Sequence, residues 1–191
     1  MEKKGTRFRL LETSRRLFLE NGYAETGLNQ IVAEANTVKA SLYQHFPSKE
    51  ELGREVLKLY SEENLDLLKV LMKKYPDPID FISAWTKVIQ REARQKKLYG
   101  CGMANFRAQI SRSENVIKEE IESIVNKTVS SLDTYLKQAQ TQGLVPKDKN
   151  TNVLARQIFM VYEGVLQCYR LTDDPKLISD LLAVSTILLK K

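Results

Sequence analysis

The sequence predicts an all-α fold, and three observations carry that prediction. Apolar residues recur at spacings of three and four along almost the whole chain, no alternating strand-like segment of useful length interrupts them, and the prolines and most glycines fall between the periodic stretches. The chain has 191 residues, enough to bury one good core, or a small domain joined to a larger one, without disulfides or metals. Hydrophobic residues make up 42% and charged residues 28%, the balance of an ordinary globular protein, and no stretch approaches the ~20 apolar residues that span a bilayer.

The first helix is expected over residues 6–21, burying Leu10 or Leu11, Ser14, Leu17 and Phe18, and Gly22 ends it. Leu28, Ile31, Val32 and Ala35 form one stripe on a second helix of barely two turns, with Thr26 or Gly27 as its cap. Asn36 suits a tight turn because asparagine tolerates the left-handed backbone. A third helix begins at Lys39 and must stop near His45, since Phe46 precedes Pro47 and a residue before proline is pushed out of the helical region.

Ser48-Lys49-Glu50-Glu51 reads as a capping box opening a long fourth helix to about Lys74, closed by Pro76 and Pro78. Asp77-Pro78 starts a fifth, with Ile82, Trp85 and Ile89 on one face. After a break at Tyr99-Gly100-Cys101-Gly102, residues 103–110 form a short helix, and Ser113-Glu114 opens a long one. In that long helix Ile117, Ile121, Ile124, Thr128, Leu132, Tyr135 and Ala139 keep helical spacing until Gly143 and Pro146.

The last two helices, over 153–169 and from Pro175 onward, are apolar around most of their circumference. One core does not need so wide a face, so the second side is expected to meet another copy of the chain.

The short helix, three-residue turn and second short helix between Leu28 and His45 make a helix-turn-helix by length and pattern. Leu42 and Phe46, four apart, must point inward with Leu17, Phe18 and Ile31, which leaves Lys39, Ala40, Ser41, Tyr43 and Gln44 outside. Glutamine pairs bidentately with adenine and lysine reaches guanine or phosphate, so such a row suits a major groove. The net charge of +6 is compatible with a nucleic-acid partner, but residues 1–53 hold eight basic and seven acidic residues, so bulk charge does not point there. Locally, Lys3, Lys4, Arg7, Arg9, Arg15 and Arg16 face only Glu12, and residues 35–49 contain Lys39 and Lys49 but no acid, which offers two basic surfaces for phosphates.

Leu17-Phe18, Gly22-Tyr23, Thr26, Ile31, Ala35, Lys39, the run from Ser41 to Phe46, and Ser48-Lys49-Glu50 with Leu52 resemble the DNA-binding signature of the TetR family over roughly residues 8–56. The resemblance implies a fold of about nine helices in two domains. An N-terminal three-helix DNA-binding domain with a helix-turn-helix, 1–53, is followed by a C-terminal helical bundle for ligand binding and dimerisation, 54–191. It further implies a homodimer, repression through a palindromic operator in double-stranded DNA, and release by a small-molecule effector. Three positions depart from the family pattern: Asn36 in place of the turn glycine, Val38 where a small hydroxyl residue caps the recognition helix, and Gly27 beside Thr26. Thr37 serves as the cap instead, or the cap is lost.

Under this reading Thr26, Tyr43, His45 and Lys49 hold phosphates, while Thr37, Lys39, Ser41 and Gln44 face the groove. Tyr43 has the alternative of a packing ring. His45, the only histidine, has no carboxylate or cysteine set around it in sequence and is not expected to bind metal. In the C-terminal domain Trp85, Met103, Phe106, Tyr162 and Cys168 are candidates to line an effector cavity, with Gln109, Asn105 or Arg107 orienting a polar end. Each also suits an ordinary core.

Cys101 lies between two glycines with Arg94, Lys96 and Lys97 nearby in sequence, which would favour a reactive thiolate; alternatively it packs as a small hydrophobe. Cys101 and Cys168 are too few for a disulfide framework and lack zinc spacing. No Gly-rich phosphate loop, metal-spaced cluster or nucleophile–base set appears, so neither an enzyme nor a cofactor is expected. The N-terminus lacks the apolar run of a secretory signal, and the expected location is the cytoplasm.

Overall fold

Helix boundaries follow local chemistry closely in the computed structural model, which describes residues 5–111 and 113–190. Among these residues there are nine α-helices and no strand: α1 (Thr6–Glu20), α2 (Leu28–Glu34), α3 (Lys39–His45), α4 (Lys49–Lys74), α5 (Pro78–Arg94), α6 (Gly102–Gln109), α7 (Asn115–Thr141), α8 (Thr151–Thr172) and α9 (Asp180–Lys190). The segment expected as one helix from Pro175 is divided: Pro175–Ser179 forms a 3-10 turn, and only then does α9 begin.

Several ends have the predicted cause. Gly22 follows α1 with φ +90°, and Asn36 takes the left-handed turn position with φ 50°. Phe46 leaves α3 in extended backbone ahead of Pro47. The Asp77 carboxylate accepts from the Ile79 and Asp80 amides at the start of α5. At α4 the Glu51 amide donates to Ser48 Oγ at 3.0 Å, one arm of the expected capping box, while the Glu51 carboxylate pairs with Arg54. The chain divides into two compact units, with boundaries inside α4, at the start of α6 and inside α7.

The first unit takes in the chain up to Glu62 together with Gly102–Ile124, so the 1–53 segment is only part of it. Leu10, Leu17, Ile31, Leu42, Phe46 and Leu52 form its centre, each almost wholly buried. Ser14, also buried, donates to the Leu10 carbonyl four residues back, which satisfies its hydroxyl within the helix. A second layer is aromatic. Phe18 meets both Tyr23 and Phe106 edge-on at 5.2 and 5.5 Å between ring centres, and Tyr23 and Phe106 lie 5.2 Å apart. Gly53 makes room for this cluster: a Cβ there would come within 2.9 Å of the Tyr23 ring and 3.1 Å of Ile117 Cδ1.

The second unit comprises Glu63–Cys101 with the chain from Val125 onward. Within it α9 packs on α5 and α8. Phe81, Trp85, Tyr135 and Tyr162 form its aromatic core, Trp85 stacking with Phe81 on one contact and with Tyr162 at 4.5 Å on another. The Tyr135 hydroxyl donates to the Tyr75 carbonyl at 2.7 Å, and Thr151 Oγ1 donates to the buried Asp133 carboxylate at 2.6 Å. No described helix is long and apolar enough to cross a membrane.

Candidate nucleic-acid interface

The outer row of α3 is presented as the sequence predicts. Leu42 is fully buried and Phe46 nearly so, whereas Lys39, Ala40, Tyr43, Gln44 and His45 are exposed and Thr37 and Ser41 half-buried. Backbone hydrogen bonds hold this row in place: the Thr37 amide donates to the Val32 carbonyl at 2.9 Å and the Leu42 amide to Val38 at 3.1 Å. Arg9 adds a tie from α1, donating through Nε to the Ala35 carbonyl at 3.1 Å. Tyr43 is 50% exposed, which answers the packing alternative: its ring stands out from the core. His45 packs its ring edge-on to Phe46, and no metal-capable group of side chains occurs among the described residues.

One expected phosphate contact, Thr26, is corrected, and Lys49 has a partner within the protein. The Thr26 side chain is fully buried and its hydroxyl donates to the carbonyls of Leu17 and Gly22, closing the loop after α1 rather than facing solvent. Lys49 is half-buried. Its ammonium donates to the Ala24 carbonyl at 3.1 Å and lies 4.7 Å from the centre of the Tyr23 ring, so it braces the loop against α4. Burial lowers its pKa, against the opposing pull of Glu114 and Glu25.

The N-terminal basic surface is likewise smaller than the sequence suggests. Arg7 pairs with Glu55 at 2.6 Å, and Arg16 pairs with Glu20 one turn along the same helix and with Glu34; Glu55 and Glu34 come from other helices. Lys3 and Lys4 lie outside the described residues. Val38 occupies the N-cap position of α3 without a side-chain capping hydrogen bond, and Thr37 does not substitute for it. The predicted alternative of a lost cap is therefore the one found.

The residues expected around an effector are divided between the two units. Met103, Phe106 and Gln109 belong to the first unit, while Trp85, Cys101, Tyr162 and Cys168 belong to the second. Phe106 is a correction: its ring is engaged by Phe18 and Tyr23. So is Gln109, whose Oε1 accepts from the Ala24 amide at 3.0 Å and sits against Gly22. Trp85 is core, 4% exposed between its two aromatic neighbours. Cys168 is exposed, sharing the outer face of α8 with Met160, Gly164 and Leu171 at helical spacing. Met103 is buried and Tyr162 half-buried.

Cys101 is buried at 1% exposure, and its thiol hydrogen-bonds the Glu163 carboxylate. The thiol is thus packed in the interior beside a carboxyl group. Sequence reasoning missed Glu163 and Gln167, which follow each other by one turn on α8. Glu163 Oε1 and Gln167 Nε2 are buried with no hydrogen-bond partner among the described residues. The only signal available was two polar residues inside an otherwise apolar stretch of helix.

Burial raises the Glu163 pKa, against the hydrogen bond from Cys101. An acid whose folded pKa lies above its unfolded one binds its proton more tightly in the native state. Stability then falls as pH rises from the unfolded pKa through the folded one. Glu163→Gln is expected to raise the thermal midpoint by ~2–4 °C near neutral pH, the effect of about 1 kcal/mol in a chain of this size, and to change it little near pH 4. Scanning calorimetry at the two pH values checks this; an equal shift at both contradicts it.

Comparison with known proteins places these features in a family. Residues 10–56 match the model described as bacterial regulatory proteins, tetR family, and residues 79–184 match the tetracyclin repressor-like C-terminal domain. The HTH-type transcriptional repressor DhaR of Mycobacterium sp. (strain GP1) is 25% identical over 167 residues, 87% of this chain and 83% of DhaR. The HTH-type transcriptional regulator LmrA of Bacillus subtilis is 28% identical over 163 residues, 84% of this chain and 85% of LmrA. Among solved structures, reduced Escherichia coli NemR superposes with a TM-score of 0.83 at 20% identity, covering 93% of this chain and 94% of NemR. At that identity the likeness speaks for the fold.

Proposed function

This chain belongs to the TetR family of bacterial regulatory proteins and is a DNA-binding transcriptional regulator; on that footing we propose that it is a repressor whose homodimer binds a palindromic operator and leaves it when a small molecule enters the C-terminal domain. The observation that carries this reading is the outer row of α3. Lys39, Tyr43, Gln44 and His45 stand exposed over the buried Leu42 and Phe46, held by backbone hydrogen bonds and supplied with donors and acceptors for base edges and phosphates. Thr37, Lys39, Ser41 and Gln44 read the groove; Tyr43 and His45 hold phosphate. The protein acts in the cytoplasm as a binding protein, without catalysis, the DNA-reading function residing in residues 1–53 and sensing and assembly in 54–191.

The dimer forms through α8 and α9. Met160 and Leu171 on α8 and Val184 and Ile187 on α9 are exposed apolar residues. Two open grooves border the same surface, one of about 280 Å³ between α8 and α9 that includes Val153, Leu154, Ile187 and Leu188, and one of about 470 Å³ between α7 and α8 that includes Val129, Phe159 and Met160. Such a face on a monomer fits an isologous partner. For the effector, Glu163 Oε1 and Gln167 Nε2 offer an unpaired acceptor and donor one turn apart, beside Cys101 and with Tyr162 on the same helix.

Selection of bound duplexes from a random DNA library at moderate salt tests the proposal. An enriched inverted repeat supports it; no enrichment from folded, dimeric protein overturns it in favour of an interaction protein that kept the fold. On the enriched duplex, Gln44→Ala is expected to remove preference at one base pair per half-site, about 1–3 kcal/mol of discrimination. Tyr43→Phe should weaken all sequences alike by a few-fold, the loss of one phosphate hydrogen bond. Uniform loss for both variants contradicts the assigned roles.

A further inference from the structure

We propose that Val38 is a specificity determinant that selects a thymine in each operator half-site through apolar contact with the 5-methyl group of the base. This rests on the reading of α3 as the recognition helix. Val38 is 63% exposed, more than Phe8 at 41% or Tyr43 at 50%, the other exposed large apolar side chains among the described residues of the first unit. Its position is set by the backbone rather than by packing. The carbonyl of Val38 accepts from the Leu42 amide at 3.1 Å, the preceding Thr37 amide is tied to Val32, and Asn36 fixes the turn with φ 50°.

Folding gives no reason for valine there. The position precedes a helix, where serine, threonine, aspartate or asparagine would satisfy a first-turn amide, and Val38 makes no such hydrogen bond. Nor does the side chain contribute to the core, most of its surface being in solvent. Its neighbours Lys39 and Ala40 are exposed as well, so the side chain stands at the leading end of the row that faces DNA. Among the groups on the floor of a major groove, the thymine methyl is the apolar one, and it is the only feature there that two valine methyls complement.

Thymine replaced by deoxyuridine removes that methyl and leaves every hydrogen-bonding edge intact. On the duplex enriched by selection, each thymine is exchanged in turn in both half-sites, and affinity is measured by fluorescence anisotropy for the wild type, Val38→Ala and Val38→Thr. One thymine position is expected at which the exchange weakens the wild type by roughly three- to tenfold, the scale of a lost methyl contact in each half-site. Val38→Ala should be weaker on the thymine duplex and indifferent to the exchange. Val38→Thr keeps one methyl and adds a capping hydroxyl, so it should retain thermal stability while its preference for thymine falls, which separates recognition from folding. The inference is overturned if every exchange affects wild type and Val38→Ala by the same factor, or if the enriched half-site contains no thymine. Failure to enrich any site is a different result, since it removes the recognition-helix reading itself along with this one.

Discussion

Replacing Phe106 with alanine is expected to destabilise the protein by about 3–5 kcal/mol, the cost of emptying a buried aromatic site that cannot collapse. Phe106 is 3% exposed and contacts Phe18 and Tyr23 as the third ring of the cluster in the first unit. The variant loses those two ring contacts and opens space beside Gly53, whose missing side chain already concedes room to Tyr23, Phe106 and Ile117. A loss of that size is a large part of the ~5–15 kcal/mol that holds an ordinary domain together. Urea denaturation should show a lower midpoint with an unchanged slope. Operator affinity should fall as well, because Tyr23 lies in the loop that Lys49 and Thr26 brace. A Phe106→Ala protein of wild-type stability would mean that the ring is not a core element and would return it to the effector site.

Ile187→Glu is expected to convert the dimer to a monomer of 22.0 kDa and to weaken operator binding by roughly two orders of magnitude or more. Ile187 is 55% exposed on α9 and borders the groove that includes Val153, Leu154 and Leu188. A carboxylate costs nothing at a solvent-exposed position of a monomer, but buried against a second copy it must be desolvated without a partner. The loss at the operator follows from geometry. Two half-sites bound by one dimer make the second binding event intramolecular, and separated protomers forfeit that advantage. Sedimentation at micromolar concentration and anisotropy on the full operator read the two effects. A dimer that survives Ile187→Glu would place the interface elsewhere than α8 and α9. Thermal stability of the separated monomer serves as the control, since exposed Ile187 contributes little to the core of its own chain.

The helices, their order and most of their ends were legible in the sequence, because each depends on chemistry within a few residues. Asp77 before Pro78, Phe46 before Pro47, and Gly22 after α1 act through backbone geometry and neighbouring amides, and each has the predicted effect. The inward pair Leu42 and Phe46 likewise follows from helical spacing alone, and with it the exposed row on α3. Only the tertiary structure decided what charged and polar side chains meet. Arg7 finds Glu55 forty-eight residues away, Lys49 turns to the Ala24 carbonyl, and Thr26 is buried between two carbonyls. The same holds for Phe106 and Gln109, which spacing could not assign to the first unit, and for Glu163 beside Cys101, sixty-two positions apart in the chain. Periodicity tells which face of a helix is turned inward, but the partner across that face is set by how distant segments pack, and no local pattern encodes it.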